Sequence, residues 1–134
     1  MKLNITSQYA IRILTHFVQN QNDKLFSAKV ISTTLDIPYK YLTSIMTQLV
    51  NANIILSSRG RDGGYKLAKN ANEIRLLDIL ESVKECINAD NCVLGMGVCR
   101  EEDKCALHDE WKAPKEHMVN MFKNTTLEDL KNNK

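Results

Sequence analysis

The sequence predicts a mainly α-helical fold with one small β-hairpin, arranged as a winged helix-turn-helix domain followed by a long C-terminal helix. Two observations predict it: three amphipathic helical patterns occupy the first 52 residues, and a short glycine-rich hairpin pattern follows them directly. Of the 134 residues, 43% are hydrophobic, which is enough for a buried core. There is no run of about 18 apolar residues, which could span a membrane, and no signal-peptide pattern, so we expect a cytoplasmic protein.

The first two predicted helices show apolar residues at helical spacing. Residues 6–19 begin at Thr6 or Ser7, either of which is a good N-cap, and residues 19–23 read as a loop. A second short helix begins at Ser27. The residues predicted to face inward from these helices are Tyr9, Ala10, Ile13, Leu14, Phe17, Val18, Val30 and Ile31.

The third predicted helix has a face suited to reading DNA. Pro38 opens it, since proline at the first turn loses no hydrogen bond, and it runs to about Ala52. Its face opposite the apolar stripe is polar, short and almost uncharged, which suits hydrogen bonds to base edges in the major groove. A helix, a tight turn and a second helix of this kind form the helix-turn-helix pattern. The residues of this face are Lys40, Thr43, Ser44, Thr47 and Gln48.

A basic hairpin is predicted directly after the third helix. Residues 54–58 and 64–67 read as two strands, and three glycines between them permit a tight connection. Arg59 and Arg61 lie in this connection, where they would reach phosphates or a narrow minor groove. The distribution of charge also favours binding of a polyanion by the first half of the chain. Residues 1–75 hold ten basic and four acidic residues, whereas residues 76–134 hold eight basic and twelve acidic ones.

Two further helices are predicted in the second half of the chain. Residues 73–85 form an amphipathic pattern, and the last helix spans about 104–123, with Pro114 expected to kink or restart it. We expect residues 125–134 to form one more short turn and then fray. The large apolar residues of the last helix need covering, and a partner chain is the simplest cover. They are Leu107, Trp111, Met118, Met121 and Phe122.

The cysteine segment predicts a metal site. Cys92, Cys99, Cys105 and His108 follow the spacing C-x6-C-x5-C-x2-H, and the remaining cysteine, Cys86, lies close by. Three thiolates and an imidazole suit either an iron–sulfur cluster or a structural zinc ion, although structural zinc sites favour shorter gaps. A disulfide framework is the weaker interpretation, since cytosolic thiols stay reduced. A thiol enzyme with His108 as base is a remote alternative, because no orienting group stands out.

Six segments together resemble the IscR-like family of winged-helix iron–sulfur regulators, which also includes NsrR and CymR. They cover nearly the whole chain, and the most specific are the wing SSRGRDGGYKLAK and the cysteine segment CVLGMGVCREEDKCALHDEW. The others are MKL…SQYAIRIL, IPYKYLTSIMTQL, EIRLLDILESV and TTLEDL. The chain departs from the family pattern at two points: six residues instead of five separate the first two cysteines, and Pro114 falls inside the last helix.

The resemblance implies a homodimeric, DNA-binding transcriptional regulator that is not an enzyme. It implies a 2Fe-2S cluster, with 4Fe-4S as an alternative, on Cys92, Cys99, Cys105 and His108. It also places DNA contacts at Tyr41 and its polar neighbours on the third helix and at Arg59 in the wing. We expect a winged helix-turn-helix domain at 1–85, a cluster-binding loop at 86–108, and a dimerisation helix and tail at 104–134. Cys86 has no counterpart in the family, and we expect it to pack as a small apolar residue.

Overall fold

The computed structural model describes residues 3–20, 25–87, 92–94 and 97–133, and the predicted loop at 19–23 lies mostly outside these ranges. Within them, helices dominate and one antiparallel hairpin follows the third helix, as predicted. The elements are α1 (Ile5–Gln19), α2 (Ala28–Leu35), α3 (Tyr39–Asn51), β1 (Ile55–Ser58), β2 (Gly64–Leu67), a 3-10 turn (Ala71–Glu73), α4 (Leu76–Ser82), α5 (His108–Asn124) and α6 (Leu127–Leu130).

Helix α1 begins at Ile5, slightly earlier than the predicted start at Thr6 or Ser7. Its N-cap is Asn4 rather than Thr6 or Ser7, because the Asn4 side chain accepts a hydrogen bond from the Ser7 backbone N at 2.8 Å. The predicted inward face is otherwise correct for Ile13, Leu14 and Phe17, which are completely buried. In α2, Ile31 is buried but Val30 is 60% exposed, so the prediction that Val30 faces inward is wrong.

The hairpin is anchored to the segment before α2. Strands β1 and β2 pair antiparallel with Ile55 opposite Leu67. Phe26 then pairs with Tyr65 through two backbone hydrogen bonds of 2.8 Å, which adds a third, one-residue strand to the sheet. Gly64 permits this approach, since a Cβ there would lie 2.5 Å from the Phe26 carbonyl oxygen. Strand β2 of the wing is therefore paired on both sides, with β1 on one and with Phe26 on the other.

Helix α4 is shorter than the predicted helix over 73–85. Residues Ala71–Glu73 form a separate 3-10 turn, and Ile74 is extended because it pairs with the C-terminal segment: the Leu127 N donates to the Ile74 carbonyl at 2.9 Å. At the other end, Lys84 has a φ of 62°, a left-handed conformation that ends the helix. Glu85 and Cys86 therefore lie outside the helix, in chain without regular secondary structure.

Helix α5 begins at His108, later than predicted, and continues through Pro114 without restarting. Its C-terminal half rests on the domain, with Phe122 buried and Met118 and Val119 packed against the core. Its N-terminal half is largely exposed, and Leu107, directly before it, is 43% exposed. After α5, α6 returns to α1 and buries Leu127 completely. No helix in the described ranges has the length and apolar character to cross a membrane.

Candidate DNA-binding surface and cysteine site

The polar face of α3 lies on the outside of the helix-turn-helix. Leu42, Ile45 and Leu49 fix the helix by pointing into the core, which turns the opposite face outward. Two of its hydroxyls already bond the helix backbone, Thr43 to the Lys40 carbonyl and Thr47 to the Thr43 carbonyl, each at 3.0 Å. Lys40, Ser44 and Thr47 are exposed, and Thr43 and Gln48 are half-buried.

Tyr41 differs from its polar neighbours on α3 because its side chain packs against α1. Its hydroxyl hydrogen-bonds the Thr6 hydroxyl of α1, and its ring meets the Tyr9 ring edge to face at 5.5 Å. Arg12 in turn lies over the Tyr9 ring, 5.6 Å from its centre. Tyr41 therefore fixes α3 against α1, and any contact it makes with DNA is made from this position.

The tip of the wing presents two unpaired cations. Arg59 and Arg61 are both exposed, and within the described part of the chain neither side chain has a hydrogen bond or an ion pair. The wing follows α3 after only three residues, and its first strand packs against α3. Free guanidinium groups beside a polar helix face suit the phosphates and base edges of a duplex.

The cysteine segment is folded by its own backbone hydrogen bonds. The Cys92 N donates to the Gly97 carbonyl at 2.7 Å, which closes a small loop. Gly97 has a φ of 95°, a conformation that glycine adopts without strain. The Leu94 N donates to the Cys92 sulfur at 3.4 Å, a type of contact that stabilises a thiolate. The His108 N donates to the Cys105 carbonyl at 3.1 Å and so starts α5.

All four predicted ligands line one small cavity. The cavity has a volume of ≈ 20 Å³, and its walls are Cys92, Val98, Cys99, Asp103, Cys105 and His108. The three cysteines are half-buried, and the side chain of His108 is only 11% exposed. The four residues are spread along 17 residues of chain, and the folded segment brings them to the walls of the same cavity.

The neighbours of Cys105 in this cavity oppose the ionisation of its thiol. The pKa of the Cys105 thiol is raised, chiefly by a hydrogen bond with the Cys92 side chain, then by burial; the Leu107 backbone N–H acts in the opposite direction, and the nearby Cys99 adds to the rise. Without a compensating cation, the protonated form of Cys105 is favoured. A bound metal supplies that positive charge, since it is thiolates that act as ligands.

The donors surround the cavity but do not meet at a single-ion position. In the described residues, no three His, Cys, Asp or Glu side chains are placed to hold one metal ion together. Three thiols and one imidazole are a donor set that can bind either a 2Fe-2S cluster or a zinc ion. By donor chemistry the residues present fit a 2Fe-2S cluster, and their role as its ligands stays a prediction.

Cys86 lies on the surface and lines none of this cavity. It is exposed, so the expectation that it packs as a small apolar residue is wrong. The reason is local: the turn at Lys84 directs the chain outward and buries Ile87 in its place.

The sequence analysis overlooked an acidic residue beside His108. The Glu101 carboxylate contacts Lys104 Nζ at 3.2 Å, Lys112 Nζ at 3.7 Å and His108 Nε2 at 3.5 Å. The i, i+3 pair with Lys104 is visible in the sequence, but the contact with His108 depends on how the segment folds back on α5.

This combination of a helix-turn-helix, a basic wing and a thiol-lined cavity at the N-terminal end of α5 defines a winged-helix transcriptional regulator. The comparisons with known proteins agree. The chain belongs to the Rrf2 family, whose profile, described as an iron-dependent transcriptional regulator, matches residues 3–133. It is thus a DNA-binding regulator rather than an enzyme, as predicted.

Individual relatives support the same assignment. The HTH-type transcriptional regulator IscR of Pectobacterium atrosepticum is 30% identical over 134 residues, which are 100% of this chain and 81% of that protein. The fold resembles that of CymR, the global cysteine regulator of B. subtilis, with a TM-score of 0.82 and 24% identity over 98% of this chain and 96% of that one. It also resembles T. potens IscR, with a TM-score of 0.73 and 21% identity over 97% and 85% of the two chains.

Proposed function

We propose that the protein is a homodimeric transcriptional regulator in the cytoplasm that senses iron–sulfur cluster, redox or iron status through a bound cluster. The observation that carries the proposal is the single cavity lined by Cys92, Cys99, Cys105 and His108. The cluster would supply the sensing chemistry, because its occupancy or oxidation state changes with the cell. The 2Fe-2S form fits the mixed donor set best, and a 4Fe-4S form is the alternative.

The DNA contacts in this proposal come from α3 and the wing. Lys40, Tyr41, Thr43, Ser44, Thr47 and Gln48 would face the major groove, and Arg59 and Arg61 would contact the backbone or minor groove. Two subunits would place their α3 helices in successive major grooves, about one helical turn apart, on a pseudo-palindromic site. The polar, outward-facing surface of α3 and the unpaired wing cations support this docking.

The exposed N-terminal half of α5 supports the proposed dimer. Leu107, directly before the helix, is 43% exposed and Trp111 in its first turn is only half-buried, so this end of α5 has an apolar surface that a second copy would cover. Because α5 starts at His108, the same helix would connect the cluster to the dimer contact. We propose that occupancy of the cluster adjusts α5 and so the separation of the two α3 helices, with a coupling of about 1–3 kcal/mol.

Metal analysis of cysteine variants tests the proposal. The wild type, purified without oxygen, should be brown, absorb at about 300–500 nm and contain equal amounts of iron and acid-labile sulfide. Cys92→Ser should lose the colour and the iron, whereas Cys86→Ser, the matched control, should keep both because Cys86 lies outside the cavity. A colourless wild type with one zinc per chain would support the structural-zinc alternative, and a metal-free wild type would contradict both.

DNA binding provides the second arm of the test. A fragment selected by the wild type from a random duplex library should bind the cluster-loaded and metal-free forms with affinities that differ about 5-fold to 150-fold. The same comparison in Cys92→Ser should give one affinity under both conditions. An equal affinity of loaded and metal-free wild type for every selected fragment would contradict sensing through the cluster.

A further inference from the structure

The His108 ring lies between two cavities of different chemistry. On one side is the small thiol cavity, and on the other is an open recess of ≈ 500 Å³ along α5. Cys99 and His108 line both, but Glu101 lines only the outer recess. The edge of the ring that meets Glu101 therefore lies on the side of the outer recess.

The atom that meets Glu101 is His108 Nε2. It lies 3.5 Å from Glu101 Oε1, and since a carboxylate accepts hydrogen bonds, the proton of a neutral ring belongs on Nε2. Nδ1 is then the nitrogen with a free lone pair, which a metal ligand requires. In many metal sites, a histidine ligand donates its other ring N–H to a carboxylate that fixes the ring orientation.

Glu101 is itself held in place by cations on two sides. Lys104 Nζ bonds Glu101 Oε2 at 3.2 Å, and Lys112 Nζ lies 3.7 Å from Oε1. Lys104 also contacts Asp109 at 3.3 Å, so the network ties the turn at 101–104 to the first turn of α5.

We propose that Glu101 is a positioning residue: it fixes the His108 ring so that Nδ1, and not Nε2, is the nitrogen offered to the cluster. This inference rests on the proposed cluster function and deepens it. Coordination at Nδ1 polarises the Nε2–H bond and strengthens its hydrogen bond to the carboxylate. Glu101 therefore determines how firmly the fourth ligand is held, and with it how readily iron leaves the site.

Two substitutions separate the hydrogen bond from the charge. Glu101→Gln keeps an oxygen that can accept from Nε2–H but removes the negative charge, and Glu101→Ala removes both. Glu102→Ala is the matched control, because Glu102 is a neighbouring exposed carboxylate with no hydrogen bond or ion pair in the described part of the chain. Circular dichroism verifies that the variants keep the helical fold.

The first measurement identifies the ligand atom. The full chain is produced with histidine carrying 15N at Nδ1 only, loaded with iron and sulfide without oxygen, and reduced with dithionite. Pulsed electron paramagnetic resonance should show strong coupling of the cluster spin to 15N in the wild type, in Glu101→Gln and in Glu102→Ala. Coupling to unlabelled 14N instead, in the wild type, would mean that Nε2 is the ligand and would overturn the inference.

The second measurement follows loss of iron to an excess of chelator. Removal of a carboxylate that supports a metal-bound histidine weakens metal sites about 10-fold to 100-fold, so Glu101→Ala should lose iron at least about 10-fold faster than the wild type. Glu101→Gln should lie between them, and Glu102→Ala should match the wild type. If a loaded Glu101→Ala protein matches Glu102→Ala, Glu101 does not position His108, although the cluster stands. If the wild type takes up no iron, the proposed cluster function itself fails, and this inference with it.

Discussion

The Glu85 carboxylate accepts hydrogen bonds from Asn4, the N-cap residue of α1. The Asn4 backbone N donates to Glu85 Oε1 at 3.4 Å, and the Asn4 side-chain amide donates to Glu85 Oε2, across 81 residues of sequence. This leaves the side-chain oxygen Oδ1 of Asn4 to accept from the Ser7 backbone N. Because Cys86 follows Glu85, the chain that enters the cysteine segment is bonded to the start of α1, whose Thr6 hydrogen-bonds Tyr41 of α3.

Removal of the Glu85 carboxylate should destabilise the domain and weaken the link between the cysteine segment and α1. For Glu85→Ala we expect a loss of about 1 kcal/mol in the free energy of unfolding, typical of a lost hydrogen bond and a weakened cap. The measurement is urea unfolding of the wild type, Glu85→Ala, Asn4→Ala and the double variant.

Glu81→Ala is the control for this cycle, since Glu81 is exposed on α4 and has no hydrogen bond to α1 among the described residues. The two effects at Glu85 and Asn4 should be strongly non-additive, because each substitution removes the same contact. Additive losses would show that the two residues act independently.

The wing arginines should contribute to DNA affinity through phosphate contacts. We expect Arg59→Ala and Arg61→Ala each to reduce the slope of log K against log salt concentration by about 1, with the fold unchanged. Fluorescence anisotropy with a selected duplex at several salt concentrations measures this slope. Lys131→Ala, a neutralised exposed cation beyond α6, should leave the slope as it is; an equal loss there would indicate a nonspecific effect of net charge.

Leu127 should be essential for the stability of the DNA-binding half, although it lies near the end of the chain. Its side chain is completely buried, so Leu127→Ala should lower the free energy of unfolding by about 2–5 kcal/mol. Thermal unfolding followed by circular dichroism measures this. Leu130→Ala, at a half-buried position of the same helix, should cost clearly less. Equal, small effects would show that α6 is not part of the core.

Asp78 should make the stability of the folded domain depend on pH in the acid range. Burial raises the pKa of Asp78, but hydrogen bonds from the Arg75 side chain and backbone lower it by more, so the net pKa lies below its usual 3.8. A carboxyl group with a lowered pKa stabilises the folded state above its unfolded pKa, and this stabilisation is lost as the pH falls through the lower, folded pKa.

The comparison of Asp78→Asn with the wild type tests this. The variant should be less stable by about 0.5–1 kcal/mol at pH 7, since a capping acceptor is weakened. The difference should shrink below about pH 4, where Asp78 of the unfolded chain is itself protonated. Urea unfolding from pH 7 to pH 3 measures it, and a difference independent of pH would contradict the assigned ion pair.

The parts of the fold that depend on local pattern could be predicted from the sequence. The apolar spacing of α1 and α3 and the glycines of the wing were sufficient, because each element is determined by its own residues. The Phe26–Tyr65 pairing and the burial of Leu127 could not be predicted, since they join segments 39 or more residues apart that carry no shared local signal.

The candidate site, like the fold, could be predicted from the sequence only in part. The spacing of Cys92, Cys99, Cys105 and His108 predicted a common site, and these side chains line one cavity. Their role as ligands is still a prediction. Glu101 could not have been selected, because charged residues are frequent in this segment, and only the fold shows which carboxylate lies next to the His108 ring.

The attachment of α5 at one end has a mechanical consequence. Directly after the helix, the Thr125 carbonyl accepts from the Leu76 N and the Leu127 N bonds Ile74, each at 2.9 Å, so this end is pinned. A helix of 17 residues is about 25 Å long, so a tilt of only about 5° around the pin would move His108 by about 2 Å. Because displacement in such a tilt grows with distance from the fixed C-terminal end, the cysteine-rich end moves most, and a partner bound along the middle of α5 moves by a smaller, proportionate amount.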